Sequence, residues 1–391
     1  MSQKKKFCFI IETPLSKRDE ERFGLNIIST KFQIIILDLS LIRLKKRRLF
    51  YFNKDLDDLK SKYKYYEVKN SYQLFSIMND QIEYYVEYSS GEYLASIIAL
   101  LIIKYRNKKV IFTTHGITPI HSTSLKKQLK KRLIIKSISN IKYLINRISR
   151  LPFKFINKLS VDILGVSCLK ASEEIIMTRN IISNSTKRIF NHSFDYDLYL
   201  KYRNEIKISD EYILFLCQDY TNHPDLKIQG RKQINKKRYY NDLKKFFSEL
   251  EKLFNKKVVI SVHPRSNLNH NKLYWGNFNF SYEKSLFLCS RASIVLTHHS
   301  TAVSFPIIYK KPIIFFTSNL INSNFQEPVR IKEMAASLNK KVINLDDYDT
   351  ETIQSSSSVN NYYYDQYISN YIKHPNSKDI NSWELMIQDL N

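Results

Sequence analysis

The chain has 391 residues, 43% hydrophobic and 13% aromatic, enough for two domains with separate cores and too apolar for a disordered protein. Six Gly and nine Pro exclude a fibrous or linker-dominated chain, and four scattered cysteines without a CxxC pair read as reduced core residues of a cytosolic protein. Lys and Arg number 62 against 37 Asp and Glu; the resulting net charge of +25 attracts nucleic acid, an anionic membrane surface or phosphorylated substrates.

The first expected strand covers 7–12, behind a basic start; its apolar run is too short for a signal-peptide core. Further strands are expected at 32–39, 83–88, 110–113, 162–166, 213–216, 258–262, 294–296, 313–316 and 342–345. Several are apolar throughout rather than alternating, the mark of strands covered on both faces in a parallel sheet. Asp55-Leu56-Asp57 has the spacing of a metal-binding DxD but the setting of a helix cap, and Asp346-Asp347 opens a turn. The longest apolar run, 97–103, falls well below the roughly 20 residues of a spanning helix, so no integral membrane protein is expected.

Segment 125–158 stands apart. Its residues 126–158 carry eleven Lys and Arg and no acid, with apolar residues mostly three and four apart. A basic amphipathic helix of this kind suits an anionic membrane surface, and equally an ordinary surface helix docked on its own domain. No helix-turn-helix, zinc-finger, RNP or KH pattern accompanies the charge, so no nucleic-acid partner is expected.

The polar stretch 191–210 marks the domain boundary. In the second half, 239–254 places Leu243, Phe246, Phe247, Leu250 and Phe254 on one helical face. Residues 355–364 read as a loop, and Trp383, Leu385, Met386 and Leu390 as a final short helix. Strand–helix alternation over this length implies an α/β protein of two doubly wound domains: 1–200, then 210–375, with a C-terminal helix in 376–391.

Two strand ends carry the chemistry. VVISV runs into His263-Pro264-Arg265-Ser266, and IVLT into His298-His299-Ser300-Thr301. In open α/β sheets the carboxyl ends of strands face the ligand crevice. Proline biases His263 to an extended backbone, and Ser300 or Thr301 would cap the next helix and supply donors for a phosphate. His298 or His299 would add one more. His223-Pro224 and His374-Pro375 are the other such pairs, the latter in a polar stretch that reads as a surface turn.

VVISVHPRSN followed by IVLTHHSTAVSFPIIYKKPIIFF resembles the paired motifs of bacterial GT-B glycosyltransferases that use CMP-activated sugars: sialyltransferases and transferases of nonulosonic acids or Kdo. The resemblance spans about 213–320, including FLCQDYTNHPD, and is thin over 1–200. It implies a GT-B fold, two Rossmann-like domains facing a cleft. It also implies that His263 stabilises or protonates the departing CMP, that Ser300 and Thr301 hold its phosphate, and that Pro264 shapes the base and ribose pocket. Arg265, Ser266 and His299 complete the expected donor site. The family's base is an acidic residue of the N-terminal domain; Glu92, in VEYSSGEYLAS, fits it with the order of acid and Gly reversed, and Glu87 and His115 are its rivals. No metal and no cofactor beyond the CMP-sugar donor is expected. The acceptor would be a surface glycan or glycolipid, and the protein peripheral to the inner membrane on its cytoplasmic side. A similar motif pair occurs in CDP-polyol phosphotransferases and a looser one in UDP-GlcNAc epimerases. The reading from a different class is a noncatalytic basic binding protein.

Overall fold

The computed structural model describes residues 4–44, 55–78, 81–87, 94–115, 117–119, 160–171, 182–221, 234–263, 272–323, 327–388 and 390. Two compact units emerge. The first takes the chain up to His115, resumes to Phe194 and regains it from His374; the second contains Asp195–Lys373. Each is an α/β unit built on one all-parallel sheet, in the doubly wound manner the apolar strands imply.

The first unit's strands are β1 (Lys6–Ile11), β2 (Gln33–Asp38), β3 (Lys64–Glu67), β4 (Ile82–Glu87), β5 (Lys109–Thr113), β6 (Ile163–Val166) and β7 (Lys187–Phe190). Their order is β3-β2-β1-β4-β5-β6-β7, so the winding reverses between β1 and β4. All but the first residue of β1 are buried, because helices cover both faces. Helix Ser382–Gln388 closes one face: Trp383 lies edge-on to Phe9 at 5.7 Å, and its indole N–H donates to the Arg22 carbonyl at 3.2 Å. Gly24, at φ +56°, sits under that ring, and a Cβ there would lie 2.4 Å from Trp383 Cδ1.

The second unit comprises β8 (Tyr212–Leu216), β9 (Val258–Ser261), β10 (Asn279–Ser281), β11 (Ala292–Thr297), β12 (Ile313–Thr317) and β13 (Val342–Asn344). Their order is β10-β9-β8-β11-β12-β13, with the reversal between β8 and β11. Helix Lys236–Phe254 is capped by Asn235 and ends on a left-handed Asn255. It buries Tyr239, Tyr240, Leu243, Phe246, Phe247 and Leu250; Phe247 meets Phe215 at 5.2 Å and Phe246 meets Phe316 at 5.4 Å.

Two expectations are corrected. Residues 355–364 are not a loop: helices Thr350–Ser356 and Asn361–Tyr367 meet there, capped by Asp349 and Asn360, and Tyr364 and Tyr367 are buried. His374 is no surface residue; its ring is buried against Phe190 at 4.0 Å, and its N–H donates to the Asn191 carbonyl. Asp55 does precede a helix, Leu56–Lys62, as its cap position. Among the described residues no helix is long and apolar enough to cross a membrane. The basic segment 125–158 lies outside them.

Candidate functional site

In each sheet the point where strand order reverses leaves a crevice at the carboxyl edge, because helices diverge to opposite faces there. In the second unit that point lies between β8 and β11. The chain leaving β8 reads Cys217-Gln218-Asp219-Tyr220-Thr221, and the chain leaving β11 reads His298-His299-Ser300-Thr301.

The two ends are stitched together. Gln218 Oε1 accepts from the His299 backbone N–H at 2.8 Å, and the Tyr220 hydroxyl shares a hydrogen bond of 2.7 Å with His299 Nδ1. The second bond fixes the ring's rotation and engages Nδ1. Asp219 reaches this turn in the left-handed region, φ +47°, with a buried carboxylate that accepts from the Thr221 hydroxyl at 3.2 Å. Non-glycine residues adopt that conformation rarely, and strain of this kind collects at functional turns.

His298 and His299, adjacent in sequence, do different work. His298 is fully buried, with Nδ1 at 2.8 Å from the Phe316 carbonyl and Nε2 at 3.2 Å from the Tyr239 hydroxyl. A carbonyl only accepts, so Nδ1 carries a proton, and Nε2 shares its hydrogen bond with the Tyr239 hydroxyl. His298 is therefore a core strut, and His299 is the half-exposed imidazole of the edge.

Ser300 caps the turn of helix Thr301–Val303, accepting from the Ala302 N–H at 3.3 Å, while its own N–H donates to Thr297 Oγ1 at 3.2 Å. Thr301 is exposed beside it. His263 stands two residues beyond β9, half-buried, on the same carboxyl edge. Its strand and that of Ser300 are not direct neighbours: β8 lies between β9 and β11. One interposed strand sets the two strand ends about 9–10 Å apart. That span matches a ligand lying across the end of β8 better than one phosphate oxygen held by both. Pro264, Arg265 and Ser266 lie outside the described residues, as does Glu92.

In the first unit, the β1/β4 reversal carries carboxylates. Glu87 ends β4 in register with Ile10, and Glu12 follows β1 with a buried side chain. His115 stands two residues beyond β5, stacked on Phe194 at 3.7 Å and 12°. Burial, then the charge of Arg22 and the nearby His192, push its pKa well down, so the ring stays neutral and packs as an aromatic plate.

Sequence reasoning missed Gln218, Asp219, Tyr220 and Glu12. Chemistry-bearing side chains directly after an apolar run, QDYT after YILFL and E after KFCFII, were the available signal.

No protein-family model and no curated protein sequence matches the chain. Solved structures do resemble it in fold. The UDP-GlcNAc 2-epimerase of Methanocaldococcus jannaschii superposes with a TM-score of 0.52 at 14% identity, over 98% of this chain and 99% of that one. The Staphylococcus aureus MnaA–UDP co-structure gives 0.52 at 11%, covering 98% and 95%. The Neisseria meningitidis UDP-GlcNAc 2-epimerase bound to UDP-GlcNAc gives 0.51 at 14%, covering 98% and 99%. Two parallel sheets with helices on both faces, shared over nearly the whole length of those proteins, make the chain's fold the two-domain, Rossmann-like GT-B fold.

Proposed function

We propose that the chain is a glycosyltransferase that moves an acidic sugar, of the sialic, nonulosonic or Kdo type, from a CMP-activated donor to a surface glycan or glycolipid. The observation that carries this reading is the β8/β11 crevice of the second unit. There Tyr220 and Gln218 hold His299 beside the Ser300 cap, with His263 on the other flank of β8. The cytidylate preference rests on the likeness of VVISVHPRSN and its partner stretch to CMP-sugar transferases.

A base removes the proton from an acceptor hydroxyl, whose oxygen attacks the anomeric carbon. The bond from that carbon to the phosphate oxygen breaks, and CMP leaves with the electron pair. His263 and His299 stabilise or protonate the departing phosphate; Ser300 and Thr301 hold it by hydrogen bonds. Pro264, Arg265 and Ser266 border the cytidine. The base is a carboxylate of the first unit, with Glu87, Glu12 and Glu92 as its candidates; His115, stacked and held neutral, is given a packing role. The +25 charge suits an anionic donor and an acceptor on the cytoplasmic face of the inner membrane.

A second reading is favoured by fold: two of the similar structures named above are UDP-GlcNAc 2-epimerases. A thermal-shift comparison of CMP, CDP, UMP and UDP separates the two. Larger stabilisation by CMP supports the transfer of an acidic sugar, and by CDP the related polyol-phosphate transfer. A shift by UDP equal to or above CMP overturns the cytidylate reading.

A further inference from the structure

Helix Ser71–Ile77 packs against helix Leu94–Tyr105 in the first unit. Together they expose four large side chains: Tyr72 at 84%, Phe75 at 46%, Leu101 at 44% and Tyr105 at 81%. On each helix the exposed pair is three or four residues apart and so shares one face. Helix Leu94–Tyr105 also contains the longest apolar run, Ile97 to Ile103, in which Ala99, Leu100, Ile102 and Ile103 are buried while Leu101 faces out. Scattered exposed apolar residues need no explanation; a cluster on two touching helices does.

Along the second helix and the turn after it the charge has one sign, with Lys104 paired to Asp162. From Leu94 to His115 the sequence has four Lys and Arg and no Asp or Glu. Arg106 lays its guanidinium over the Phe75 ring at 4.9 Å, and Lys108 follows in the turn after the helix. Tyrosines at the most exposed positions, Phe and Leu between them and cations at the border are the composition of a surface that settles into lipid headgroups. A second copy of the chain is a poorer occupant. A twofold interface on this face would set the same cations against themselves, whereas anionic headgroups supply the opposite charge.

We infer that the face formed by Tyr72, Phe75, Leu101 and Tyr105, bordered by Arg106 and Lys108, seats the first unit on an anionic bilayer. This deepens the reading of a membrane-apposed acceptor and rests on it for its purpose, but it is measured without any acceptor. The whole chain is sedimented with phosphatidylcholine vesicles, with and without phosphatidylglycerol, at low and high salt. CMP binding is followed in parallel, so that either reading can fail alone.

The expected result is wild-type binding to the anionic vesicles only, weakened by salt. Replacing all four residues by Ser should lower the partition coefficient at least about tenfold, with the melting temperature and CMP binding kept. Arg106→Glu with Lys108→Glu should act in the same direction. The inference is overturned if the wild type binds no vesicle, or if the fourfold variant binds as well as the wild type. It is also overturned if charge reversal at Lys126, Lys127, Lys130, Lys131 and Arg132 abolishes binding while the fourfold variant keeps it. Conversion of a dimeric wild type into a monomer by the fourfold variant, seen by light scattering, would assign the face to a second copy instead.

Discussion

At the scale of single residues, the second unit's edge divides its histidines by what their nitrogens already do. His298 has both committed inside the core, whereas His299 has Nδ1 committed to Tyr220. Tyr220→Phe should therefore weaken CMP binding by about fivefold, the worth of one neutral hydrogen bond, as read by titration calorimetry. His298→Ala should instead lower stability. His263→Ala is expected to cut kcat by about 10²–10⁴-fold, the range for a lost acid or charge stabiliser, with a smaller change in KM. His374→Ala, which a surface turn would have tolerated, should destabilise the first unit, because the ring stacks on Phe190. His115 gives a pH test. Its native pKa lies below that of the unfolded chain, near 6.5, so above that pH both states are neutral and nothing depends on it. As the pH falls below about 6.5 the unfolded chain takes up a proton that the native ring refuses, and stability drops by up to about 1.4 kcal/mol per pH unit. Urea unfolding between pH 7.5 and 5.5 should show that slope, and His115→Phe, which keeps a ring against Phe194, should reduce it.

At the scale of elements, all ten strands expected from apolar runs exist, while β3, β7 and β10 were not legible. The three are KYYE, KRIF and NFS, and all lie at sheet edges. An edge strand pairs on one side only and is short, so its residues need not be apolar, and the run that betrays a central strand is missing. The missed helices at 350–367 failed for another reason. Asn and Ser read as turn residues, but Asp349 and Asn360 are caps, and the burial is carried by tyrosines, Tyr364 and Tyr367. The site was legible to the same degree: strand-ending histidines announce themselves, but which strand lies between them depends on sheet order, which the sequence does not display. The return of helix Ser382–Gln388 to β1 makes a further test. Gly24→Ala combines a left-handed backbone with a Cβ 2.4 Å from Trp383, and should cost about 2–4 kcal/mol in urea unfolding. Trp383→Ala should cost about 3–5 kcal/mol.

At the scale of the whole molecule, each unit has a hydrophobic core of its own. One is centred on Phe7, Phe9 and Trp383, the other on Phe215, Phe247 and Phe316. In scanning calorimetry, CMP at a hundredfold excess over its Kd should raise the transition of the second unit, by about 2.7 kcal/mol of added stability. The transition sensitive to Gly24→Ala should move less. The same division bears on how the protein is made. The first unit's strands are complete by Phe190, yet Trp383, which closes their face, is added only after 193 more residues, Asp195–Lys373 of the second unit included. At about 5–20 residues per second, the ribosome imposes a wait of roughly 10–40 s. During it Phe7 and Phe9 have no Trp383 to cover them, and the second unit, begun later, is the first to have all its parts. A nascent chain arrested shortly after Lys373 emerges should thus offer a chaperone the apolar face of β1.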